Sequence, residues 1–372
     1  MQNRTADLLL TMETLYRLSY RGQPTFKATA PAERAPNRGA LIGRVGRVKI
    51  PRNTQGEAMT VTLSEEVALA VRTGKPVLAL ESTIITHGLP RPRNLDVARE
   101  AVQQVRDAGV VPATIGVIDG DMVIGLNDDD LVRLATDDSV VKLSIRDLPI
   151  AASLKLTGGT TVAASARLAH MAGIEVFATG GLGGVHRGAS ETFDESADLP
   201  ALASCPIVLV SAGVKSILDI GATLERLETL SIPVVGYKTT AYPGFYVADS
   251  GFRIDYEVET PQQIADMADA RDALGLQSAI LVANPVPVDQ QLDKALHDKT
   301  LAEALQAAEA AGKRGHDVTP FLLDYLQRAT HGASLEANLA VYRGNVALGA
   351  QIARAIADLQ GGPCGCGGDC GC

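Results

Sequence analysis

VLALE (77–81), followed by NLDVAREAVQQVRDAG (94–109), places a short apolar run before a segment with helical periodicity. The run is too short for a helix and is typical of a strand that is buried on both faces. The second segment carries apolar residues at steps of three and four, and Asn94 stands where a helix N-cap is expected. Together they predict one strand and one helix of an α/β fold.

The same alternation continues along the chain. ATIGVI (113–118) and DMVIGL (121–126) flank Asp119-Gly120, a dipeptide that favours a two-residue hairpin. Further strands are predicted at 140–144, 175–180, 207–213, 233–237 and 278–284. We therefore expect an α/β fold with a largely parallel sheet, flanked by helices in a three-layer arrangement.

After Pro287 the pattern becomes helical throughout. Apolar residues recur there at steps of three, four and seven, at Leu335, Leu339, Tyr342, Val346, Ala353 and Ile356. This spacing predicts a helical C-terminal cap on the same domain.

Charge is unevenly distributed over the 372 residues. The overall net charge is −9, but residues 1–58 contain ten Lys/Arg and four Asp/Glu, so the rest of the chain is strongly acidic. An acidic body with only 4% aromatic residues argues against a nucleic-acid-binding surface. The apolar runs are too short for a membrane span or a secretory signal, so we expect no membrane partner and a cytoplasmic protein.

Both ends differ in composition from the body. Residues 1–58 read as a basic, disordered extension, with a mis-assigned start before Met59 or an organelle-targeting segment as alternatives. We predict a single catalytic α/β domain at 59–360 and a Cys/Gly-rich tail at 361–372. Cys205 is the one cysteine outside that tail, which favours a reducing compartment. The tail's four thiols suit a zinc or iron–sulfur site, or belong to a disordered segment: Cys364, Cys366, Cys370 and Cys372.

Polar residues follow the predicted strands, where ligands bind in open α/β sheets. Lys142 and Lys215 each follow an apolar strand; one would hold a phosphate and the other would act as a nucleophilic amine. The alternative is an aliphatic stem packed on the sheet with its ammonium in water. Glu81 also ends an apolar strand, where burial would raise its pKa and suit it to proton donation. Its alternative role is to cap the next turn.

GGLGGVHRGASETFDESADL (180–199) combines a glycine-rich turn with several acids. Glycines allow backbone amides to approach a phosphate, and the acids could hold a divalent cation. A flexible surface loop is the alternative. In TGGTTVAASARLAHMAG (157–173), Thr160 and Thr161 stand at a helix start that would cradle an anion, whereas His170 inside the helix reads as structural.

Several long motifs, in this order, carry a family resemblance: ALESTIITHGLPRPRN, KLSIRDLP, GGTTVAAS, VFATGGLGGVHRGASETFDESADL, VSAGVKSILDIGATLERLET and LVANPVP. The chain resembles the pseudouridine-5′-phosphate glycosidase family, also described as indigoidine-synthase-A-like, from about Lys75 to residue 358. Departures are mild, at Ile145 and Val214.

The resemblance implies reversible conversion of pseudouridine 5′-phosphate and water to uracil and ribose 5-phosphate by a homotrimer, with one divalent metal per subunit, typically Mn²⁺. It places Glu81 at the proton-donor position, Lys215 at the nucleophile position and Asp194 at the metal ligand. It assigns substrate binding to a further set: Lys142, Val162, Ser196, Ala197, Asp198, His186 and Asn284.

Two other functions would use the same residues. A Schiff-base lyase or aldolase acting on another sugar phosphate needs a similar lysine and acid. A non-catalytic sugar-phosphate sensor would bind through Lys142 and the glycines and leave Glu81 idle.

Overall fold

The computed structural model describes residues 47–49, 60–313 and 318–361. The predictions for the cysteine tail and for most of residues 1–58 fall outside these ranges, and the domain boundaries at 59 and 360 stay predictions. Within the described residues, none of the helices is both long enough and apolar enough to span a membrane.

Twelve strands are described in these ranges: β1 Arg47–Lys49, β2 Thr60–Leu63, β3 Val77–Leu80, β4 Val111–Ile118, β5 Asp121–Ile124, β6 Val141–Leu143, β7 Gly158–Thr160, β8 Val176–Ala178, β9 Val208–Ser211, β10 Val234–Tyr237, β11 Tyr256–Val258 and β12 Ile280–Ala283. Each predicted strand overlaps one of these. The observed strands are shorter than predicted by up to two residues at an end, except β4, which begins at Val111, two residues before the predicted start.

The described α-helices are α1 Glu65–Arg72, α2 Arg93–Asp107, α3 Asp128–Thr136, α4 Leu148–Leu154, α5 Val162–Met171, α6 Ala189–Thr192, α7 Asp198–Leu202, α8 Ile220–Thr229, α9 Pro261–Ala273, α10 Lys294–Ala310, α11 Val318–Ala329 and α12 Ala333–Gly361. A single π-helical turn covers Ile84–Gly88, directly after β3.

The main sheet has the strand order β4-β3-β8-β9-β12-β10-β11, and every neighbouring pair in it is parallel. The carboxyl ends of these strands therefore lie along one edge of the sheet. The loops that follow β3, β8, β9 and β12 meet at that edge, as expected for the ligand-binding side of an open α/β sheet.

The long strand β4 links the main sheet to a smaller group of strands. Its second half pairs antiparallel with β5 and β7, and β6 lies parallel to β7. Asp119 and Gly120 connect β4 to β5 with φ angles of 49° and 86°, as a type I′ hairpin turn requires, so the predicted hairpin is confirmed. Lys142 lies in β6 opposite Gly159 and thus belongs to this smaller group.

The three-layer prediction is confirmed by the two apolar cores. Along β3, Val77 and Ala79 pack in one core with α1, α5 and α8, whereas Leu78 and Leu80 pack in the other with α2, α9 and α12. Successive side chains of a strand point to opposite faces, so a strand that is apolar at every position is covered by helices on both sides.

The predicted apolar face of the C-terminal helix is buried in α12, but the helix does more than cap one end. It packs directly over β3, β8 and β9. A Cβ atom on Gly349 would lie 2.9 Å from Leu78 Cδ1 and 3.1 Å from Ala178 Cβ. The absence of a side chain at Gly349 thus lets α12 approach the sheet and form part of the helical layer.

The N-cap prediction for Asn94 is wrong. Helix α2 begins at Arg93 after Pro92, and Asn94 is buried inside its first turn. Its Nδ2 donates to the carbonyl oxygens of Ile85 and Ala135, at 2.8 and 3.0 Å. Its Oδ1 accepts from the amide of Leu95 at 2.9 Å, so Asn94 pairs with two buried carbonyls of neighbouring segments and one amide from a position inside the helix.

Candidate active site

A cavity of about 80 Å³ opens at the carboxyl edge of the main sheet. The loops after β3, β8 and β9 form its floor, and α11 and α12 form its wall. The polar and aromatic residues that line it include Glu81, Thr83, Lys215, Tyr246, Gln327 and Asn338. The structure thus brings the predicted acid and the predicted nucleophile, Glu81 and Lys215, to one cavity.

Glu81 follows β3 directly and is only 7% exposed. The hydroxyl of Thr179 donates a hydrogen bond to its Oε1. Burial raises the pKa of the Glu81 carboxyl, because the charged form loses its hydration, while nearby Lys215 and the Thr179 hydrogen bond lower it by less. The direction is the one expected from the sequence, and it favours a carboxyl group that keeps its proton and can donate it.

Lys215 is held by its own loop. Its backbone amide donates to the carbonyl of Leu182 at 3.0 Å, and the amide of Val214 donates to the hydroxyl of the buried Tyr242 at 3.1 Å. Gly213, with φ of 78°, turns the chain where a Cβ atom would lie 2.7 Å from the Pro243 carbonyl oxygen. The main chain that carries the Lys215 amine is therefore fixed at three successive residues.

Lys142 is exposed in β6 and does not line the cavity, but its charge interacts with those of Lys215, Glu81 and Asp198. Loss of hydration lowers the pKa of the Lys142 ammonium, and the positive charge of Lys215 lowers it further. Glu81 and Asp198 act in the opposite direction but by less. The two lysines thus repel each other, and an anion placed between them would relieve this repulsion.

Asp198 lies buried where two backbone segments meet. Its Oδ1 accepts from the amide of Ala163 at 2.9 Å, and its Oδ2 accepts from the amide of Gly183 at 2.8 Å. Ala163 is in the first turn of α5, directly after the buried Val162. Asp198 therefore links the start of α5 to the glycine-rich loop, and both of its carboxylate oxygens already bind the backbone.

Ser196 and Ala197 shape the same loop. The amide of Ser196 donates to the Gly184 carbonyl at 2.9 Å, and its hydroxyl oxygen accepts from the Asp198 amide at 3.2 Å. Ala197 precedes α7, and its carbonyl accepts from the Ala201 amide. These contacts set the path of the chain around Asp198, and the substrate-binding role of the three residues stays a prediction.

At the anion site predicted for Thr160 and Thr161, the polar groups of both threonines already make hydrogen bonds within the protein. Thr160 Oγ1 donates to the Ile115 carbonyl at 2.7 Å, and the Thr160 amide donates to Ser82 Oγ. Thr161 caps α5 through the Ala164 amide. The two threonines therefore connect β7 and the start of α5 to the neighbouring segments at Ser82 and Ile115.

Asp194 and His186 lie side by side in the 180–199 loop. The His186 amide donates to the Asp194 carbonyl at 3.0 Å, and His186 Nδ1 lies 3.8 Å from Asp194 Oδ2. Glu191 is exposed, and among the described residues no group of three or more His, Cys, Asp and Glu side chains could hold a metal. One carboxylate with one imidazole beside it suits a cation that keeps several water ligands, such as Mg²⁺ or Mn²⁺, and does not suit a closed zinc site.

Asn284 follows β12 and faces α12. Its Nδ2 donates to Asn345 Oδ1 at 2.9 Å, and Asn345 Nδ2 in turn donates to the carbonyls of Thr179 and Gly180, at 2.7 and 3.2 Å. The side-chain nitrogen of Asn284 thus binds Asn345 within the protein. The role of Asn284 in substrate binding stays a prediction.

Comparisons with known proteins identify the family of this chain. The family model described as indigoidine synthase A like protein matches residues 66–355. The chain belongs to the indigoidine synthase A like family. The resemblance drawn from the motifs is therefore confirmed.

Relatives within this family share a name. A protein from Saccharopolyspora erythraea named pseudouridine-5′-phosphate glycosidase is 64% identical over 295 residues, which cover 79% of this chain and 97% of that protein. One of the same name from Geobacillus kaustophilus is 46% identical over 296 residues, which cover 80% and 98%.

A solved structure of an indigoidine synthase A like fold has a sugar phosphate bound. This is the prealnumycin C-glycosynthase AlnA in complex with ribulose 5-phosphate, which is 34% identical to this chain with a TM-score of 0.76. The match covers 81% of this chain and 98% of the AlnA chain.

Two cavity residues of this indigoidine synthase A like protein were missed by the sequence reasoning. Thr83 Oγ1 and Asn338 Oδ1 are both buried without a hydrogen-bond partner in the described part of the chain. Buried polar atoms are normally paired, so both oxygens are free to accept a hydrogen bond from a group or water in the cavity. Thr83 stands two residues after Glu81 and could have been found on that basis, but Asn338 required knowing that α12 reaches this edge.

Proposed function

We propose that this chain is a pseudouridine-5′-phosphate glycosidase, which reversibly converts pseudouridine 5′-phosphate and water to uracil and ribose 5-phosphate. The observation that carries the proposal is the pairing of Glu81 with Lys215 in one cavity, in a family whose close relatives bear this name. A carbon–carbon glycosidic bond is hard to break because the base leaves with the bonding electrons on carbon. Covalent catalysis divides that difficult step into easier ones.

The first step opens the ribose ring. The neutral amine of Lys215 attacks C1′, the C1′–O4′ bond breaks, and O4′ takes the proton of the Glu81 carboxyl. The Glu81 carboxylate then removes one proton from the new C1′–nitrogen centre. Glu81 thus ends the step in its acid form, which its burial favours.

The second step releases the base. The nitrogen lone pair forms a C1′=N bond, the electrons of the C1′–C5 bond pass to uracil C5, and C5 takes the proton from Glu81. Water then hydrolyses the iminium to the open-chain aldehyde of ribose 5-phosphate. The lysine leaves this step as an ammonium and returns one proton to Glu81, so the acid and the amine are both regenerated.

Lys142 is proposed to hold the 5′-phosphate. Its ammonium is coupled electrostatically to Lys215 and lies near Asp198, which anchors the start of α5. A phosphate dianion would reduce the repulsion between the two lysines. This role also keeps the Lys215 amine available for C1′.

The unpaired oxygens of Thr83 and Asn338 suit the base. A uracil joined to ribose through C5 keeps both N1–H and N3–H as donors, whereas an N-linked uracil has only N3–H. The Oδ1 of Asn338 is an acceptor, and a hydroxyl oxygen can also accept. Two acceptors in the cavity would thus favour the C-linked nucleotide over its N-linked isomer.

The remaining proposals concern the metal, the assembly and the compartment. Asp194, with His186 beside it, would hold a hydrated divalent cation, Mn²⁺ by family resemblance, together with water ligands. Such an ion supplies positive charge that orients bound water and phosphate.

We also propose a cytoplasmic homotrimer; the trimer rests on the resemblance, and light scattering of the full chain tests it.

Turnover of pseudouridine 5′-phosphate by the full chain, with Mn²⁺ or EDTA, tests the proposed function. We expect uracil and ribose 5-phosphate in equal amounts and no release of uracil from uridine 5′-phosphate. Binding without turnover would instead indicate a sugar-phosphate sensor. Cleavage of a different phosphosugar, with no uracil formed, would indicate an aldolase-type lyase.

A further inference from the structure

Asn345 lies in the middle of α12 and is completely buried, which is uncommon for an asparagine. Both hydrogens of its Nδ2 are used, one toward the carbonyl of Thr179 at 2.7 Å and one toward the carbonyl of Gly180 at 3.2 Å. These carbonyls belong to the turn that follows β8. A side chain of the helical layer thus holds the main chain at the floor of the cavity.

Asn284 fixes the orientation of this amide. It donates to Asn345 Oδ1 at 2.9 Å, so the Nδ2 of Asn345 must point to the turn after β8. The backbone amide of Asn284 in turn donates to the Ser211 carbonyl at 2.8 Å. The ends of β8, β9 and β12 are therefore joined to α12 through two asparagines.

Thr179 connects the turn that Asn345 holds to the side chain of Glu81. Its amide donates to the Val210 carbonyl at 3.0 Å, its carbonyl is held by Asn345, and its hydroxyl donates to Glu81 Oε1. Because the Thr179 hydroxyl donates this hydrogen bond, Oε1 is the acceptor. The acid form of Glu81 then carries its own proton on Oε2, the oxygen that remains for the reaction.

We propose that Asn345 is a positioning residue for the reaction: by holding the Thr179–Gly180 turn, it keeps the Thr179 hydroxyl on Glu81 Oε1 and so aims the proton on Oε2 at the substrate. Asn345 has no contact with the substrate in this proposal. The inference rests on the proposed function, because it assigns Glu81 the role of proton donor. It adds a role for a residue of the C-terminal helix.

Kinetics on pseudouridine 5′-phosphate with two variants test this. Thr179→Val removes the hydroxyl at nearly constant volume, and Asn345→Leu removes both donors. Each should lower kcat by about 10- to 100-fold, with KM changed by less than about twofold. The alkaline limb of the pH profile should move up by about one pH unit, because a hydrogen bond to the charged form of Glu81 is lost.

The double variant gives the sharpest readout. In this proposal both substitutions remove the hydrogen bond from the Thr179 hydroxyl to Glu81 Oε1, one directly and the other by releasing the turn. Thr179→Val with Asn345→Leu should therefore be no slower than the slower single variant. Multiplying effects, or an unshifted pH profile, would contradict the proposal. Thr179→Ser, which keeps a hydroxyl, should restore most activity, and Gln351→Leu, exposed on the same helix, should behave as wild type.

Folding is checked by thermal unfolding, with Asn345→Ala as a second variant at this position. If neither substitution at Asn345 gives a folded chain, Asn345 is a structural residue and the proposal is wrong. If the wild type turns over pseudouridine 5′-phosphate but the variants keep its pH profile, only the positioning role fails. If the wild type has no such turnover, the proposed function fails and the positioning role fails with it.

Discussion

The backbone amide of Val214 donates a hydrogen bond to the hydroxyl of Tyr242, one residue before Lys215. Tyr242 is 1% exposed, and its ring lies against Gly213, so it fixes the loop from below. The hydroxyl does not line the cavity in which the lysine stands. It thus supports the nucleophile through the main chain.

Replacing Tyr242 by phenylalanine should therefore slow the reaction without preventing binding. We expect kcat to fall by about tenfold, with KM nearly unchanged, because the Lys215 loop loses one anchor. The free energy of unfolding should drop by about 1 kcal/mol. Tyr256→Phe, at an exposed tyrosine of β11, is the matched control. A fully active Tyr242→Phe enzyme would show that the anchor is unimportant.

Glu81→Gln should change the pH dependence of stability. The native pKa of Glu81 lies above its ordinary value of 4.5, so the folded chain keeps this proton at pH values where the unfolded chain has lost it. Stability of the wild type must then fall, relative to Glu81→Gln, as the pH rises from about 4.5 toward the native pKa, by up to about 1.4 kcal/mol per pH unit.

Denaturant unfolding of both proteins at a series of pH values measures this difference. Parallel stability curves would contradict a raised native pKa. The same substitution should lower turnover by about 100-fold or more, since general acid catalysis contributes about 10²- to 10⁴-fold.

Lys142→Gln should weaken binding of the 5′-phosphate. KM should rise by about tenfold or more, and the dependence of KM on salt should become shallower, because a charge that attracts the phosphate has been removed. Lys299→Gln, at an exposed lysine of α10, is the control and should leave KM unchanged. An unchanged KM in Lys142→Gln would assign the phosphate to another group.

Asp194→Asn should weaken binding of Mn²⁺. Titration of the full chain with Mn²⁺ alone, followed by the electron paramagnetic resonance of the free ion, should show one site per chain in the wild type. The affinity of the variant should be about 10- to 100-fold lower. Glu191→Gln, at an exposed acid of the same loop, should bind as wild type does. Equal affinities for wild type and Asp194→Asn would exclude this carboxylate as the ligand.

The sequence was informative where a reactive side chain comes shortly after a predicted strand. Glu81 and Lys215 each come after an apolar run, and because all strands of the main sheet are parallel, both must lie at the same edge. The order of the strands was not predictable, since it depends on which neighbours pair. For the same reason, the arrival of Lys142 from the smaller group of strands could not be foreseen.

Residues of the C-terminal helices were harder to assign. Asn338 and Asn345 interrupt the apolar face of α12, but helical spacing alone does not show which strand ends that face covers. Asn94 shows the opposite error: an asparagine before an apolar helical pattern favours an N-cap, whereas the buried carbonyls of Ile85 and Ala135 compete for its amide. Such competition depends on contacts that are distant in sequence.

Formation of a covalent bond between Lys215 and the sugar is the central claim, and reductive trapping tests it most directly. The full chain is incubated with ribose 5-phosphate and sodium borohydride, digested, and analysed by mass spectrometry. We predict one reduced ribose 5-phosphate adduct on the peptide that contains Lys215, and none in Lys215→Ala, which should also lack turnover. Absence of the adduct in an active wild type, or normal turnover by Lys215→Ala, would contradict the mechanism.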